Sequence, residues 1–168
     1  MATNSVSLHS LEYKNAATYW IAALFVIGNI ALPQLCHLVP SGGPMLLPIY
    51  FFTLVAAYKY GWKVGVLTAV ASPLVNSALF AMPAPALLPA ILTKSLLLAA
   101  AAGFAARKFR RVSLLLLLGV VLFYQVIGSA AEWGLTGSLA AALQDFRIGI
   151  PGMLLQILGG YLFIKYLK

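Results

Sequence analysis

Charged side chains are scarce in this sequence, and their scarcity excludes an ordinary soluble protein. Only 8% of the 168 residues are charged, and 62% are hydrophobic. A soluble globular domain has about 25% charged residues and a smaller apolar share. The single cysteine, Cys36, excludes a disulfide within the chain. The composition therefore predicts a protein embedded in a membrane.

Catalytic and cofactor-binding patterns are also missing. No Gly-x4-Gly-Lys-Ser/Thr phosphate loop occurs, and no Ser/His/Asp or Cys/His set can be assembled. The only two histidines, His9 and His37, lie far apart in the chain, whereas a metal needs three or four convergent ligands. We expect no enzyme, no metal site and no cofactor, and any ATP hydrolysis must come from a separate protein.

Six apolar stretches are present, each bounded by polar residues, glycine or proline. A membrane span needs roughly 20 mainly apolar residues, so this length leaves no room for a further soluble domain. We predict one domain over residues 1–168, an all-α membrane protein built as a bundle of six transmembrane helices. Pro48 interrupts the second stretch, which we expect to be broken or tilted. The predicted spans are 16–38, 44–58, 62–80, 86–106, 112–131 and 147–166.

The positions of the basic residues predict the orientation. We expect the polar segment 1–14 to carry no removable signal peptide. If this segment lies in the cytoplasm, nine of the eleven Lys and Arg residues fall on the cytoplasmic side. This places both termini in the cytoplasm of a bacterial or archaeal inner membrane. The formal charge of +8 is thereby explained without a nucleic-acid partner. The nine residues are Lys14, Lys59, Lys63, Arg107, Lys108, Arg110, Arg111, Lys165 and Lys168.

The remaining charges predict a polar site toward the outer side. Lys94 lies within the fourth apolar stretch, where a lipid-facing ammonium costs several kcal/mol. It therefore faces the bundle interior, pairs with an acid or carbonyl, binds a ligand anion, or extends its stem to an interface. Asp145 is either part of this site or a cap of the sixth helix. The candidate substrate-binding residues are Lys94, Gln125, Glu132, Trp133, Asp145 and Asn76.

Uncharged polar and small residues suggest helix contacts. Asn29 and Gln156 are expected to hydrogen-bond between helices, and for Asn76 both this role and ligand binding stay open. Small residues recur at four-residue intervals along the third stretch and predict one closely packed face, used either within the chain or against a partner protein. These small residues are Ala57, Gly61, Gly65 and Ala69.

Three segments resemble the substrate-binding S components of energy-coupling factor transporters. They are residues 47–65, with Gly-Trp-Lys-Val-Gly at 61–65, residues 71–76 and residues 82–89. The size, six-span topology and inward termini are similar over the whole chain. The resemblance implies a vitamin receptor that associates with a transmembrane coupling protein and two cytoplasmic ATPases, and that holds its ligand in the outer half.

That family docks to its coupling protein through an alanine-x3-alanine pattern on the first span. Thr18 and Ala22 occupy the matching spacing here. A structural or scaffold membrane protein without a ligand, of the cell-shape type, has a similar length and span number and remains the alternative.

Overall fold

The computed structural model describes residues 7–167, and this part of the chain is helical with no strand. Short 3₁₀ turns cover Pro48–Tyr50 and Pro85–Leu87, and a π-helical segment covers Leu155–Gly159. Residues 1–6 of the predicted cytoplasmic segment, and Lys168, lie outside the described residues. The α-helices are α1 (Ala16–Cys36), α2 (Gly42–Leu46), α3 (Phe51–Tyr60), α4 (Trp62–Phe80), α5 (Leu88–Phe109), α6 (Leu114–Thr136), α7 (Leu139–Ala142), α8 (Gln144–Ile148), α9 (Ile150–Leu154) and α10 (Gly160–Tyr166).

Four of these helices are long and apolar enough to cross a membrane: α1, α4, α5 with its preceding 3₁₀ turn, and α6. They contain 21, 19, 25 and 23 residues, close to the roughly 20 residues that a bilayer core requires. Large apolar side chains lie on their outer surfaces, among them Trp20 and Leu115, each 77% exposed. Such surfaces are stable against lipid, and they confirm the expectation of a multi-pass membrane protein.

The second apolar stretch is broken, as Pro48 indicated. Helix α2 ends at Leu46, Leu47 adopts a left-handed conformation with φ of 47°, and a 3₁₀ turn then leads into α3. Proline has no N–H to donate to a helical hydrogen bond, so a continuous helix is unfavourable here. Helix α3 has only ten residues, but its centre, from Leu54 to Tyr58, is completely buried by the neighbouring helices.

The last apolar stretch is also irregular. Its helical course begins at Ile150 rather than at the predicted residue 147, and it passes from α9 through the π-helical segment into α10. These helices form an apolar unit, Ile150–Tyr166, that is shorter than the four long helices. Gly149 precedes α9 as its N-cap residue. The alternative that Asp145 caps this last helix is therefore wrong.

Both described ends of the chain lie at the same end of the bundle. The backbone N–H of His9 donates to the carbonyl of Lys59 at 2.7 Å, so the N-terminal segment crosses the end of α3. The Lys59 ammonium donates to the carbonyl of Ile164 in α10 at 3.3 Å. The basic connection between α5 and α6 is there too, because the Tyr58 hydroxyl donates to the carbonyl of Arg111 at 2.7 Å.

The small residues at four-residue intervals do not form one continuous helical face, so that expectation is wrong. Gly61 has φ of 99° and forms the break between α3 and α4, a conformation that glycine adopts at little cost. Ala57 and Gly65 face each other across this break, and a Cβ added to Gly65 would overlap the Ala57 methyl group. Ala69 is fully buried farther along α4. These residues thus allow α3 and α4 to approach closely within the chain.

The Thr18 and Ala22 pair of α1 is also covered by its own chain. Thr18 is completely buried, and its hydroxyl donates to the carbonyl of Glu12 at 2.6 Å. Ala22 is 5% exposed and belongs to the hydrophobic core. The two side chains that occupy the docking spacing on the first span are therefore inaccessible to a partner in this structure.

Asn29 joins three helices, as the sequence indicated. Its amide nitrogen donates to the hydroxyls of Thr53 and Ser72, both at 3.1 Å, and its amide oxygen accepts from the backbone N–H of Phe52 at 3.2 Å. Asn76 extends this network by donating to the carbonyls of Asn29 and Ser72 at 2.9 and 3.0 Å. The α1, α3 and α4 helices are thus fixed by polar contacts that lipid cannot replace.

We expect Asn29→Ala to lower the free energy of unfolding by about 1–2 kcal/mol, since it removes these hydrogen bonds and leaves buried groups unpaired. Thr93→Ala is the control, because the Thr93 hydroxyl bonds only the carbonyl of Pro89 in its own helix. Thermal unfolding in detergent measures both variants. Equal melting temperatures for the two would show that the Asn29 network contributes nothing.

Candidate functional site

A buried ion-paired cluster occupies the end of the bundle opposite the two described termini. Lys94 of α5 is 3% exposed. Its ammonium nitrogen lies 2.5 Å from Oε2 of Glu132 and 2.8 Å from Oδ2 of Asp145. The carboxylate side chains are 12% and 14% exposed. Three of the six predicted substrate-binding residues therefore converge on one point, and we call them the charged cluster.

Helix geometry explains how Lys94 reaches Glu132. The Lys94 stem crosses α6 at Gly128, where an added Cβ would lie 2.5 Å from the Lys94 Cγ. Glu132 follows Gly128 by four residues, which is about one helical turn, so its carboxylate is beside the ammonium group. Any side chain at position 128 would displace the lysine stem.

Asp145 comes from the other side of the cluster through a tight reversal of the chain. Helix α6 ends at Thr136, and the φ of 68° at its C-cap residue, Gly137, allows the turn. The Ser138 hydroxyl then caps α7 by accepting from the N–H of Ala141, and α8 presents Asp145 in its first turn. The carboxylate reaches Lys94 across a sequence separation of 51 residues.

Polar side chains continue from the charged cluster along the same face of α6. We call Gln125, Ser129, Tyr124 and Gln156 the polar layer. Gln125, Ser129 and Glu132 are spaced by four and three residues and so share one helical face. The Tyr124 hydroxyl donates to Oε1 of Gln156 at 2.8 Å, and Nε2 of Gln125 donates to the Tyr124 hydroxyl at 3.2 Å. Gln156 lies in the π-helical segment, a type of helix irregularity that is frequent at functional sites.

Several buried polar atoms of these helices have no hydrogen-bond partner within the described residues. They are Ser95 Oγ in α5, Gln125 Oε1 and Ser129 Oγ in α6, and Gln156 Nε2 in the π-helical segment. Each of these residues is at most 5% exposed. A buried polar atom without a partner costs about 1–3 kcal/mol, and most such atoms in proteins are paired. The layer therefore has unused capacity to bind a polar molecule or water.

Of the alternatives open for Lys94, pairing with an acid is the one that the structure shows. Glu132 and Asp145 both pair with the lysine, so the ammonium group is already satisfied and does not call for a ligand anion. With all three groups ionised, the cluster has a net charge of −1. Arg147 is exposed and forms no ion pair with another described residue, and Glu12 pairs with Lys63 at the opposite end.

The other predicted site residues lie elsewhere or at the margin. Asn76 is bonded to Asn29 in the α1–α3–α4 network and does not join the charged cluster. Trp133 follows Glu132 but is 52% exposed. Sequence reasoning missed Ser95, Ser129 and Tyr124; the four-and-three spacing of Gln125, Ser129 and Glu132 was the signal for Ser129.

Two cavities lie away from the charged cluster. One, of about 510 Å³, is an apolar groove between α5 and α6 with Phe104 and Phe123 in its walls. The other, of about 760 Å³, is a polar cavity beside the N-terminal segment with Lys63, Arg107 and Arg110 in its walls. Neither is lined by a residue of the charged cluster.

The comparisons identify no relative. No family model, no curated protein and no solved structure matches this chain.

Proposed function

We propose that this protein is a non-catalytic membrane subunit that binds a vitamin or similarly small micronutrient on the outer side of a bacterial or archaeal cytoplasmic membrane for uptake. The observation that carries the proposal is the charged cluster with its adjoining unpaired polar atoms, buried in an otherwise apolar helix bundle. Ionisable groups inside membrane proteins are costly, and they typically mark binding sites or transport pathways.

In the proposed topology the chain crosses the membrane six times. Residues 42–60 and 150–166 form the two irregular crossings, and the four long helices form the others. The two described termini and the connection between α5 and α6 lie at one end of the bundle with most of the basic residues, which supports a cytoplasmic location for that end. The charged cluster then faces the outer side, where a nutrient arrives.

Uptake by such a subunit needs an energy source that this chain does not encode in a recognisable motif. We propose the arrangement of energy-coupling factor transporters, in which a transmembrane coupling protein and cytoplasmic ATPases associate with an S component. The resemblance of residues 47–65, 71–76 and 82–89 supports this assignment. Because Thr18 and Ala22 are buried by their own chain, the coupling protein must contact a different surface.

A scaffold protein is the competing function, and the charged cluster favours a binding protein over it. Unpaired buried atoms occur both in the polar layer and away from it, at Asn76 Oδ1 and Gln34 Nε2, so they do not separate the two functions. Ionisable groups inside a membrane protein, by contrast, typically mark binding sites or transport pathways.

We expect the protein purified from its native membrane to carry a small molecule, and its melting temperature to rise with at least one water-soluble vitamin, because a ligand that binds only the folded state stabilises it. Native mass spectrometry and thermal-shift measurements test this. Glu132→Gln should weaken or abolish the shift, whereas Glu12→Gln, the same chemical change in the ion pair at the opposite end, should preserve it. Absence of any bound molecule and of any shift across the vitamins would contradict the proposed function.

A further inference from the structure

The polar cavity beside the N-terminal segment lies at the end of the bundle opposite the charged cluster, and its walls are basic. Its volume is about 760 Å³, within the range of about 300–1,000 Å³ that is typical of small-ligand pockets. We infer that this cavity binds a phosphate group, carried either by an anionic phospholipid or by a soluble phosphate compound. The inference concerns a different site from the charged cluster and does not depend on the proposed uptake function.

Three segments of the chain form the walls of the polar cavity: the N-terminal segment, the first turn of α4 and the end of α5. The backbone N–H of Leu11 donates to the carbonyl of Tyr60 at 3.1 Å, and the His9 ring stacks on the Tyr60 ring with centroids 5.6 Å apart. Helices α4 and α5 meet at Gly103, where an added Cβ would lie 2.5 Å from the Trp62 Cβ. The walls are held together by contacts within the chain, so the cavity is part of the fold.

The walls carry more positive than negative charge. Lys63, Arg107 and Arg110 contribute three cations. Glu12 contributes the one carboxylate among the lining residues, and it pairs with Lys63. With His9 counted as neutral, three cations and one carboxylate give the walls a formal charge of +2. Arg107 and Arg110 form no ion pair with another described residue.

The chain has no acidic side chain to spare for these arginines. The whole sequence contains three Asp and Glu residues. Glu132 and Asp145 pair with Lys94 at the opposite end of the bundle, and the third acid, Glu12, is already paired with Lys63. The counter-charge of the polar cavity therefore comes from outside the chain, from solvent ions or from a bound anion.

The donors in the walls suit a phosphate group. An arginine side chain presents N–H donors in a planar fork that matches phosphate oxygens, and two arginines line the cavity. Lys63, whose side chain is 18% exposed, adds a third cation. It lies in the first turn of α4, a helix start that no side chain caps and that attracts anions through its N–H groups. A phosphate group has four oxygens and can contact all three cations, whereas a carboxylate has two.

The position of the polar cavity is at the membrane surface. Arg107 lies in the last turn of α5, where the apolar span Pro85–Phe109 ends. Trp62 lines the cavity and is 42% exposed, and Tyr13 packs edge-on against it with ring centroids 6.2 Å apart. Such aromatic rings lie at the level of the lipid head groups, where basic pockets bind anionic head groups. An anionic phospholipid is therefore the first source of phosphate to test.

A general attraction between basic residues and the membrane is the competing explanation. Basic residues at the ends of spans orient a membrane protein and attract anionic lipid without any defined site. In that case Lys108 and Arg111, which do not line the cavity, contribute as much as Arg107 and Arg110. The two pairs come from the same stretch of chain and carry the same charge, so they form a matched comparison.

The test uses the full-length protein in a non-ionic detergent, with two double variants. The cavity variant combines Arg107→Gln with Arg110→Gln, and the control variant combines Lys108→Gln with Arg111→Gln. Native mass spectrometry compares binding of phosphatidylglycerol with that of phosphatidylcholine, and calorimetry compares inorganic phosphate with chloride. We expect the unaltered protein to bind one phosphatidylglycerol or one phosphate at least about tenfold more tightly than the cavity variant does. The control variant should bind within about threefold of the unaltered protein, because charges outside the site are screened.

The two probes distinguish the source of the phosphate. Binding of phosphatidylglycerol alone identifies the lipid, binding of inorganic phosphate identifies a soluble compound, and both results support the inference. Equal losses in the two double variants, or no binding of either probe to the unaltered protein, would overturn it. Size-exclusion chromatography verifies that the variants are folded, and Arg107→Gln alone, compared with Lys108→Gln alone, replaces a double variant that is not. The charged cluster is unchanged throughout, so the proposed function stands or falls separately.

Discussion

Replacing Lys94 by Met is expected to lower the free energy of unfolding by about 3–5 kcal/mol, which is the usual cost of removing one partner from a buried ion pair. The methionine fills similar space, but Glu132 and Asp145 then face each other without a cation. Their carboxylates are 12% and 14% exposed, so water screens their repulsion only weakly. We expect a large fall in melting temperature and a low yield of folded protein from the membrane.

The control for this substitution is Lys63→Met, which removes the lysine of the other ion pair in the described chain. The Glu12 side chain in that pair is 63% exposed, and exposed pairs contribute about 0–1 kcal/mol. A fall in melting temperature no larger than that of Lys63→Met would show that the charged cluster does not stabilise the fold.

A compensated variant separates the charge effect from simple loss of packing. Lys94→Met combined with Glu132→Gln and Asp145→Asn has no unpaired charge, and neutral replacement of a buried ion pair is often tolerated. We expect this triple variant to regain most of the lost stability but not to bind ligand. Thermal unfolding and calorimetry on the same samples would reveal the difference, and an unrecovered melting temperature would show that unpaired charge is not the cause of the loss in Lys94→Met.

Gly152→Ala is expected to destabilise the protein by about 1–3 kcal/mol, the usual cost of overpacking. Helix α9 approaches α2 so closely at this glycine that an added Cβ would lie 2.5 Å from the carbonyl carbon and oxygen of Leu46. These are backbone atoms next to the break at Leu47, so they cannot rotate away as a side chain would. The substitution must push α2 away from α9 or strain both.

Gly134→Ala is the matched control, because a Cβ at Gly134 of α6 would meet nothing within 4 Å. Alanine favours a helix over glycine by about 0.8–1.0 kcal/mol, so this variant should be unchanged or slightly more stable. Thermal unfolding of the two variants side by side gives the comparison. A Gly152→Ala protein as stable as the control would show that α2 and α9 can separate at little cost.

The part of the fold that could be predicted from the sequence depends on strong local signals. Long apolar stretches identified α1, α4, α5 and α6, since a helix of about 20 apolar residues satisfies its own backbone hydrogen bonds in lipid. Pro48 indicated the break in the second stretch for an equally local reason. The small-residue spacing from Ala57 to Ala69 misled, because spacing along a chain does not reveal that Gly61 ends one helix and starts another.

The candidate site was predictable in its charged members and in Gln125. Lys94, Glu132 and Asp145 stand out in an apolar sequence, since each charge there needs a reason. Ser95 and Tyr124 belong to residue types that are common in helix interfaces and gave no comparable signal, and Ser129 was indicated only by its spacing from Gln125 and Glu132. Asn76 is as polar as Gln125, yet it lies in the Asn29 network, because the contacts of a polar residue are set by which helix it faces.

The sequence by itself determined that this protein is helical and belongs in a membrane, because apolar length and lack of charge are properties of the chain alone. It also placed Lys94 where a charge is costly. Only the tertiary structure decided how that cost is met, by bringing Glu132 and Asp145 onto one ammonium group from two other segments of the chain. The physical reason is that the sign and sum of a buried charge depend on its neighbours in space, and these neighbours are 38 and 51 positions from Lys94 in the sequence.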